Sequence, residues 1–146
     1  MIVCWPGTIE GGRVSGHISA FWDLLPTLCE VAGADIPPDV DGISFLPELL
    51  GNDNQQEHPY LYWEFPESGG QQAVRMGPWK AIRRDIKKGN LEIELYNLDM
   101  DLQEQENVAA ANPDLVTNIE QILSLEHKPA ELMRFRLELL GDPLSE

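Results

Sequence analysis

Tyr60-Leu61-Tyr62-Trp63-Glu64-Phe65, Gln72-Ala73-Val74-Arg75, Trp79-Lys80-Ala81-Ile82-Arg83-Arg84 and Leu91-Glu92-Ile93-Glu94-Leu95-Tyr96 are the four runs that decide how this chain is read. Each is rich in aromatic or β-branched residues and alternates in polarity over part of its length, as a strand does when one face meets a core and the other meets water. The breaks between them, Pro66 to Gly70, Gly77-Pro78 and Lys87 to Asn90, are short and made of turn-forming residues. Connections of that length join antiparallel neighbours, because parallel strands need a crossover of about a dozen residues or more. The runs predict a small antiparallel four-stranded meander.

Downstream, Asn112 and Pro113 stand at the N-cap and first position of a helix, and Leu115, Ile119, Ile122 and Leu123 share one face that Val116 widens. Spacings of three and four here, set against alternation in the strands, predict that a helix from Pro113 to Leu123 covers the sheet. A second helical run is expected over Pro129 to Leu140, with Leu132, Phe135, Arg136 and Leu139 as its pattern.

Upstream, Phe21, Trp22, Leu24, Leu25, Leu28 and Val31 predict a helix within Ser19 to Val31 that stops at Gly33. Pro26 either lies in its first turn, with the start near Leu25, or kinks it. Ile2-Val3-Cys4-Trp5, halted by Pro6-Gly7, reads as a short buried strand. Residues 34–59 are loop, rich in Pro, Asp, Asn and Gly, with one helical turn or two at Ile43 to Leu50. The class is α+β, organised as residues 1–58 (strand, helix, loop), 59–126 (sheet and helix) and 127–146 (a helical or disordered tail).

Composition narrows the function. With 42% hydrophobic and 24% charged residues over 146 positions, the balance is that of a globular chain with a core. Twenty-five acidic side chains against 10 Lys+Arg give a net charge of −15, which repels phosphate backbones and argues against nucleic acid as a partner. No stretch approaches the roughly 18 apolar residues of a membrane span. Cys4 and Cys29 are too few for a disulfide scaffold or a thiolate zinc site. The start, Met-Ile-Val-Cys-Trp-Pro-Gly, has neither the basic nor the apolar region of a secretory leader, and a strand-like opening is also what an excised piece would show.

Candidate chemistry is sparse. His17, His58 and His127 lie on separate loops or termini without a second histidine at metal-ligand spacing. Ser15-Gly16-His17 lacks the elbow that would expose a serine nucleophile. Glu92, Glu94, Asp99, Asp101, Glu104 and Glu106 invite a calcium reading, but alternation with Ile93 and Leu95 makes the first two the wet side of a strand, and the rest lack the EF-hand spacing. Among the tryptophans, Trp63 and Trp79 are flanked by Glu64 and Lys80 and end strands near glycine-bearing loops. The Pro66 to Gly70 break carries Glu67-Ser68 and two glycines whose flexibility suits a binding rim. Trp63, Glu64 and Ser68 are the candidate substrate-binding residues, for stacking on and hydrogen-bonding a sugar.

Four segments in order resemble the C-terminal part of the sulfatases of the alkaline-phosphatase-like superfamily. They are Trp5-Pro6-Gly7 with Gly12 and Val14; Asp23-Leu24-Leu25-Pro26-Thr27-Leu28 through Ala32-Gly33; Asp41-Gly42-Ile43-Ser44 with Pro47, Leu49, Leu50 and Gly51; and Ala73-Val74-Arg75, Gly77, Trp79-Lys80 leading to Glu94-Leu95-Tyr96-Asn97-Leu98, Asp101, Glu104 and Asn107. Together they cover about residues 2 to 123. The resemblance implies sulfate-ester hydrolysis by a parent protein using a formylglycine, made from a Cys/Ser-x-Pro-x-Arg motif, and a calcium ion, all upstream of the matched region. No catalytic or metal residue is then expected in this chain. Cys4-Trp5-Pro6-Gly7-Thr8 has Thr8 where that motif needs Arg, so Cys4 is rejected as nucleophile, and Cys29 falls at a core position of a helix.

The resemblance further implies that the first strand and helix belong to a larger α/β domain. The expected partners are the N-terminal catalytic part of the same sulfatase and a sulfated carbohydrate, with no nucleic acid and no membrane span. The parent is expected in the periplasm or outside the cell, and a lone C-terminal piece is expected to self-associate. The alternative function is a standalone acidic interaction or carbohydrate-binding module.

Overall fold

A computed structural model describes residues 1–143. Contacts divide the chain into two units, residues 1–59 and the part from Tyr60 onward.

In the first unit, helix α1 spans Leu24–Ala32, follows a single 3-10 turn at Phe21–Asp23, and ends where Gly33 adopts a left-handed conformation. Pro26 falls in the first turn of α1, where its missing N–H costs no hydrogen bond. A shorter helix, α2, spans Leu46–Leu50 and is also closed by a left-handed glycine, Gly51. The two segments of the Asp-Leu-Leu-Pro-Thr-Leu and Asp-Gly-Ile-Ser motifs are tied together by polar groups. Buried Asp23 accepts the Ile43 N–H at 2.8 Å and the Ala20 N–H at 2.6 Å, while the Thr27 hydroxyl accepts the Phe45 N–H at 3.0 Å. Gly42 is required for space, since a methyl there would lie 2.3 Å from the Trp22 carbonyl oxygen. The strand expected at Ile2 to Trp5 is not formed. That stretch is irregular and exposed up to the turn at Pro6-Gly7, because a strand cannot exist without a neighbour to take its backbone hydrogen bonds.

In the second unit, β1 (Leu61–Phe65), β2 (Gln71–Met76), β3 (Trp79–Arg83) and β4 (Ile93–Asn97) form an antiparallel meander in sequence order, as expected. The register pairs Tyr62 with Val74, Val74 with Ala81 and Ala81 with Leu95, which puts these four on one face. Helix α3, Pro113–Glu126, lays Ile119, Ile122 and Leu123 on that face, and Leu115 and Val116 pack at its margin. Asn112 occupies the cap position, but its amide donates to the Val108 carbonyl and leaves the α3 amides uncapped by a side chain.

The tail departs from expectation. In place of a helix over Pro129 to Leu140 there are two single 3-10 turns, Met133–Phe135 and Glu138–Leu140. Leu137, outside the pattern read from the sequence, is the buried residue, while Leu132 and Leu139 are exposed. No helix among the described residues is long and apolar enough to cross a membrane.

Candidate functional site

Adjacent strand residues point to opposite faces, and this separates two of the three candidate residues. Glu64 lies opposite Gln72 and shares the α3 face with Tyr62 and Val74, whereas Trp63 lies opposite Ala73 on the other face, where it is 39% exposed. Ser68 is exposed in the β1–β2 loop and holds a left-handed backbone with φ of 49°. One continuous Trp63–Glu64 rim is therefore not formed.

Glu64 is instead the centre of a polar network. Its Oε2 accepts from the Tyr62 hydroxyl, from Gln72 Nε2 at 3.0 Å and from His127 Nδ1 at 2.8 Å. On the far side of the ring, His127 Nε2 donates to Asp142 Oδ1 at 2.8 Å, and Asp142 Oδ2 accepts the Leu137 N–H at 2.7 Å. Arg83 Nη1 donates to the Gln72 side-chain Oε1 at 3.2 Å and closes the network at β3. Ionised carboxylates only accept, so a ring facing one with each nitrogen needs two N–H groups, the imidazolium form. Burial pushes the His127 pKa down, but the hydrogen bonds from Glu64 and Asp142 outweigh it and hold the value above the ordinary histidine range. Burial first, and then the bond to Glu64, raise the Tyr62 hydroxyl well above the usual tyrosine range.

The β1–β2 loop is pinned and not flexible. The Gly69 carbonyl accepts the Lys87 N–H at 2.8 Å, and the Gly70 carbonyl accepts the Ile86 N–H at 3.2 Å. Gly70 has φ of +78°, and a methyl there would lie 2.7 Å from Leu137 Cδ2 and 3.3 Å from Ile86 Cβ. The glycine serves close approach, with the tail wedged beneath the loop. Gly70→Ala should lose about 2 to 4 kcal/mol in urea unfolding, combining backbone strain with overpacking. A variant within about 0.5 kcal/mol of the parent would show that the tail does not confine this loop.

The remaining candidates are scattered. His58 Nε2 lies 2.8 Å from Asp23 Oδ1, which makes it a buttress of the first unit. Glu94 bonds the Tyr96 hydroxyl and lies 3.6 Å from Arg84. Asp101 accepts the Gln105 and Glu106 amides of its own loop. Cys4 and Cys29 are free thiols. A cleft of about 330 Å³ in the first unit is lined by Pro26, Glu30, Ile36, Ser44, Pro47 and Asn54 among others, but its Glu30 carboxylate is taken by the Ser44 hydroxyl. Among the described residues no three His, Cys, Asp or Glu side chains converge as a metal set, and Thr8 stands where the formylglycine motif needs Arg. The side chains of the described residues fit neither calcium nor a formylglycine.

Sequence reasoning missed the Glu64–His127–Asp142 bridge, because its members are 63 and 15 residues apart. One signal was available in Gln72, a polar residue that strand alternation puts beside Val74 on the core face, where it is buried.

A solved structure of a 2-O GAG sulfatase matches 69% of this chain and 23% of its own length with a TM-score of 0.60 and 29% identity. A second, of a protein in complex with its substrate D-glucosamine-2-N,6-O-disulfate, matches 83% of this chain and 26% of its own at a TM-score of 0.66 and 25% identity. The family described as N-sulphoglucosamine sulphohydrolase, C-terminal, matches residues 1–129, and the chain belongs to it. Among curated relatives, Delta 4,5-hexuronate-2-O-sulfatase of Bacteroides thetaiotaomicron is 37% identical over 93 residues, 60% of this chain and 18% of that protein. Arylsulfatase A of Bos taurus is 41% identical over 80 residues, 53% of this chain and 16% of that protein. The chain thus spans less than a quarter of either relative's length.

Proposed function

We propose that this chain acts as the C-terminal support of a sulfatase, completing and bracing an N-terminal catalytic portion that supplies the nucleophile and metal. The observation that carries this reading is the uncovered apolar face of the first unit. Phe21, Leu25 and Leu28, spaced four and three apart along one side of the 3-10 turn and α1, are 85%, 49% and 61% exposed, and Ile2 and Val14 lie bare nearby in sequence. A large apolar surface in water marks an interface, and the strand-forming run Ile2 to Trp5 lacks only a neighbouring strand. The family match and the small share of each relative that the chain spans support the same conclusion. Without its partner, this face drives association between copies.

A specificity rim belongs to the same reading. Trp63 offers a partly exposed ring and Ser68 a hydroxyl on the pinned loop, while Glu64 contributes by bracing β1 and not by touching a sugar. The substrate class proposed is sulfated carbohydrate, the class to which the named substrate of one structural neighbour, D-glucosamine-2-N,6-O-disulfate, belongs.

The purified chain is expected to release no sulfate from 4-nitrophenyl sulfate above background, and to co-purify with a separately expressed N-terminal sulfatase portion through the α1 face. Leu28→Asp should abolish that co-purification. Turnover by the chain alone that Cys4→Ala removes, or co-purification indifferent to Leu28→Asp, would overturn the reading.

A further inference from the structure

The cations of this acidic chain are gathered in two short segments. Residues 83–88 and 128–136 hold seven of the ten Lys+Arg side chains and only two of the 25 acids, Asp85 and Glu131, so that 15 residues carry a net +5 within a chain of −15. The fold joins these segments although about 40 residues separate them. Lys87 Nζ donates to the Arg134 carbonyl at 3.1 Å, and the Leu137 side chain packs against the Gly70–Ile86 corner. Arg83, Arg84 and Arg136 serve the fold: they bond the Leu91, Ala130 and Pro143 carbonyls and the Gln72 and Glu94 side chains. Lys87, Lys88 and Arg134 are exposed. Asp85 is met by Lys88 at 2.9 Å, while Lys87 contacts only a carbonyl and Arg134 only the Phe135 ring, 4.6 Å from its centroid. Among the described residues, neither has a carboxylate partner.

We infer that Lys87, Lys88 and Arg134 form an anion-binding surface for the sulfate and carboxylate groups of a sulfated oligosaccharide, beside the β1–β2 loop. The inference rests on the sulfatase reading for its choice of ligand and adds to it a second contact surface, on the tail and the β3–β4 connection. Three points of the geometry favour such a chain over other polyanions. The surface is small, so it matches discrete anionic groups. It adjoins the loop carrying Ser68 through the Lys87 N–H to Gly69 carbonyl bond. The net −20 on the rest of the chain repels a long, uniformly charged nucleic acid. Arg134, stacked on Phe135, presents a planar guanidinium for bidentate bonding to a sulfate, and Lys87 and Lys88 act as exposed point charges.

Isothermal titration of the 146-residue chain with a heparin hexasaccharide and its desulfated counterpart tests this. The sulfated probe should bind, with affinity falling as salt rises, and the desulfated one should bind at least tenfold more weakly. Lys87→Ala combined with Arg134→Ala should cost at least tenfold, and Lys88→Glu alone, at an exposed side chain whose pair with Asp85 it also removes, should cost severalfold. Lys87→Arg should retain binding, and Arg13→Ala, in the first unit, should have no effect. Absence of binding, equal binding of the desulfated probe or of a DNA oligomer of equal charge, or indifference to the Lys88 and Lys87/Arg134 changes would overturn the proposal. None of these outcomes bears on sulfate release or on capture of a catalytic portion, so the proposal can fail while the sulfatase reading stands.

Discussion

Ile119→Asp removes the cooperative unfolding of the second unit, with an expected loss of about 4 kcal/mol or more. Ile119 is 1% exposed and sits in the cluster formed with Val74, Ala81, Ile93, Leu95, Ile122 and Leu123, all of them apolar. Desolvating an unpaired charge, together with loss of the apolar side chain, uses up most of the stability of a domain of this size, about 5 to 15 kcal/mol. Thermal unfolding followed by near-ultraviolet circular dichroism reads the effect through the tryptophans. Leu125→Asp, on the exposed side of the same helix, is the control and should change little. A melting temperature for Ile119→Asp equal to that of the control would refute the packing of α3 on the sheet.

His127→Ala has the second largest expected effect, about 3 kcal/mol, because it leaves buried Asp142 and half-buried Glu64 without the cation that bridges them. The loss depends on pH, and its sign follows from the direction of the shift. The folded-state pKa of His127 lies above the value near 6.5 of the unfolded chain, so its stabilisation is complete below that value and fades as pH rises through the folded pKa. The groups that face the ring are Glu64 from β1 and Asp142 from the tail, with Tyr62 sharing the Glu64 oxygen. The gap between parent and variant should therefore be widest below about pH 6.5 and narrow as pH rises through the higher folded-state pKa. Hydrogen exchange at the Leu137 amide, which Asp142 accepts, should rise over the same interval. Parallel stability curves for parent and variant would show that the ring is neutral throughout and bridges nothing.

The sheet was legible because its signals are local. Alternation in Leu61–Phe65 and Ile93–Asn97 and the short turns between strands specify an antiparallel meander without reference to distant residues, and the spacing of Ile119, Ile122 and Leu123 specifies what covers it. Expectations failed where the outcome depends on a neighbour. Ile2 to Trp5 has the composition of a strand but no partner strand here, and Pro129 to Leu140 has a helical pattern but is drawn into 3-10 turns by Leu137 packing against Gly70 and Ile86 and by Asp142 bonding His127.

The candidate site divides in the same way. Sequence singled out Trp63, Glu64 and the loop after them, since an aromatic strand end beside turn residues is visible in the chain itself. It could not show that Glu64 turns inward to His127, that Gly70 is held against Leu137, or that Lys87 and Arg134 meet. The sequence by itself determined the order of elements, the faces of the strands and helices, and the acidic character of the chain, because these follow from residue spacing and composition. Only the tertiary structure decided the Glu64–His127–Asp142 bridge, the confinement of the β1–β2 loop and the gathering of the cations. Each joins residues far apart in the chain, and such contacts form when packing of the whole unit offsets the entropy of bringing them together.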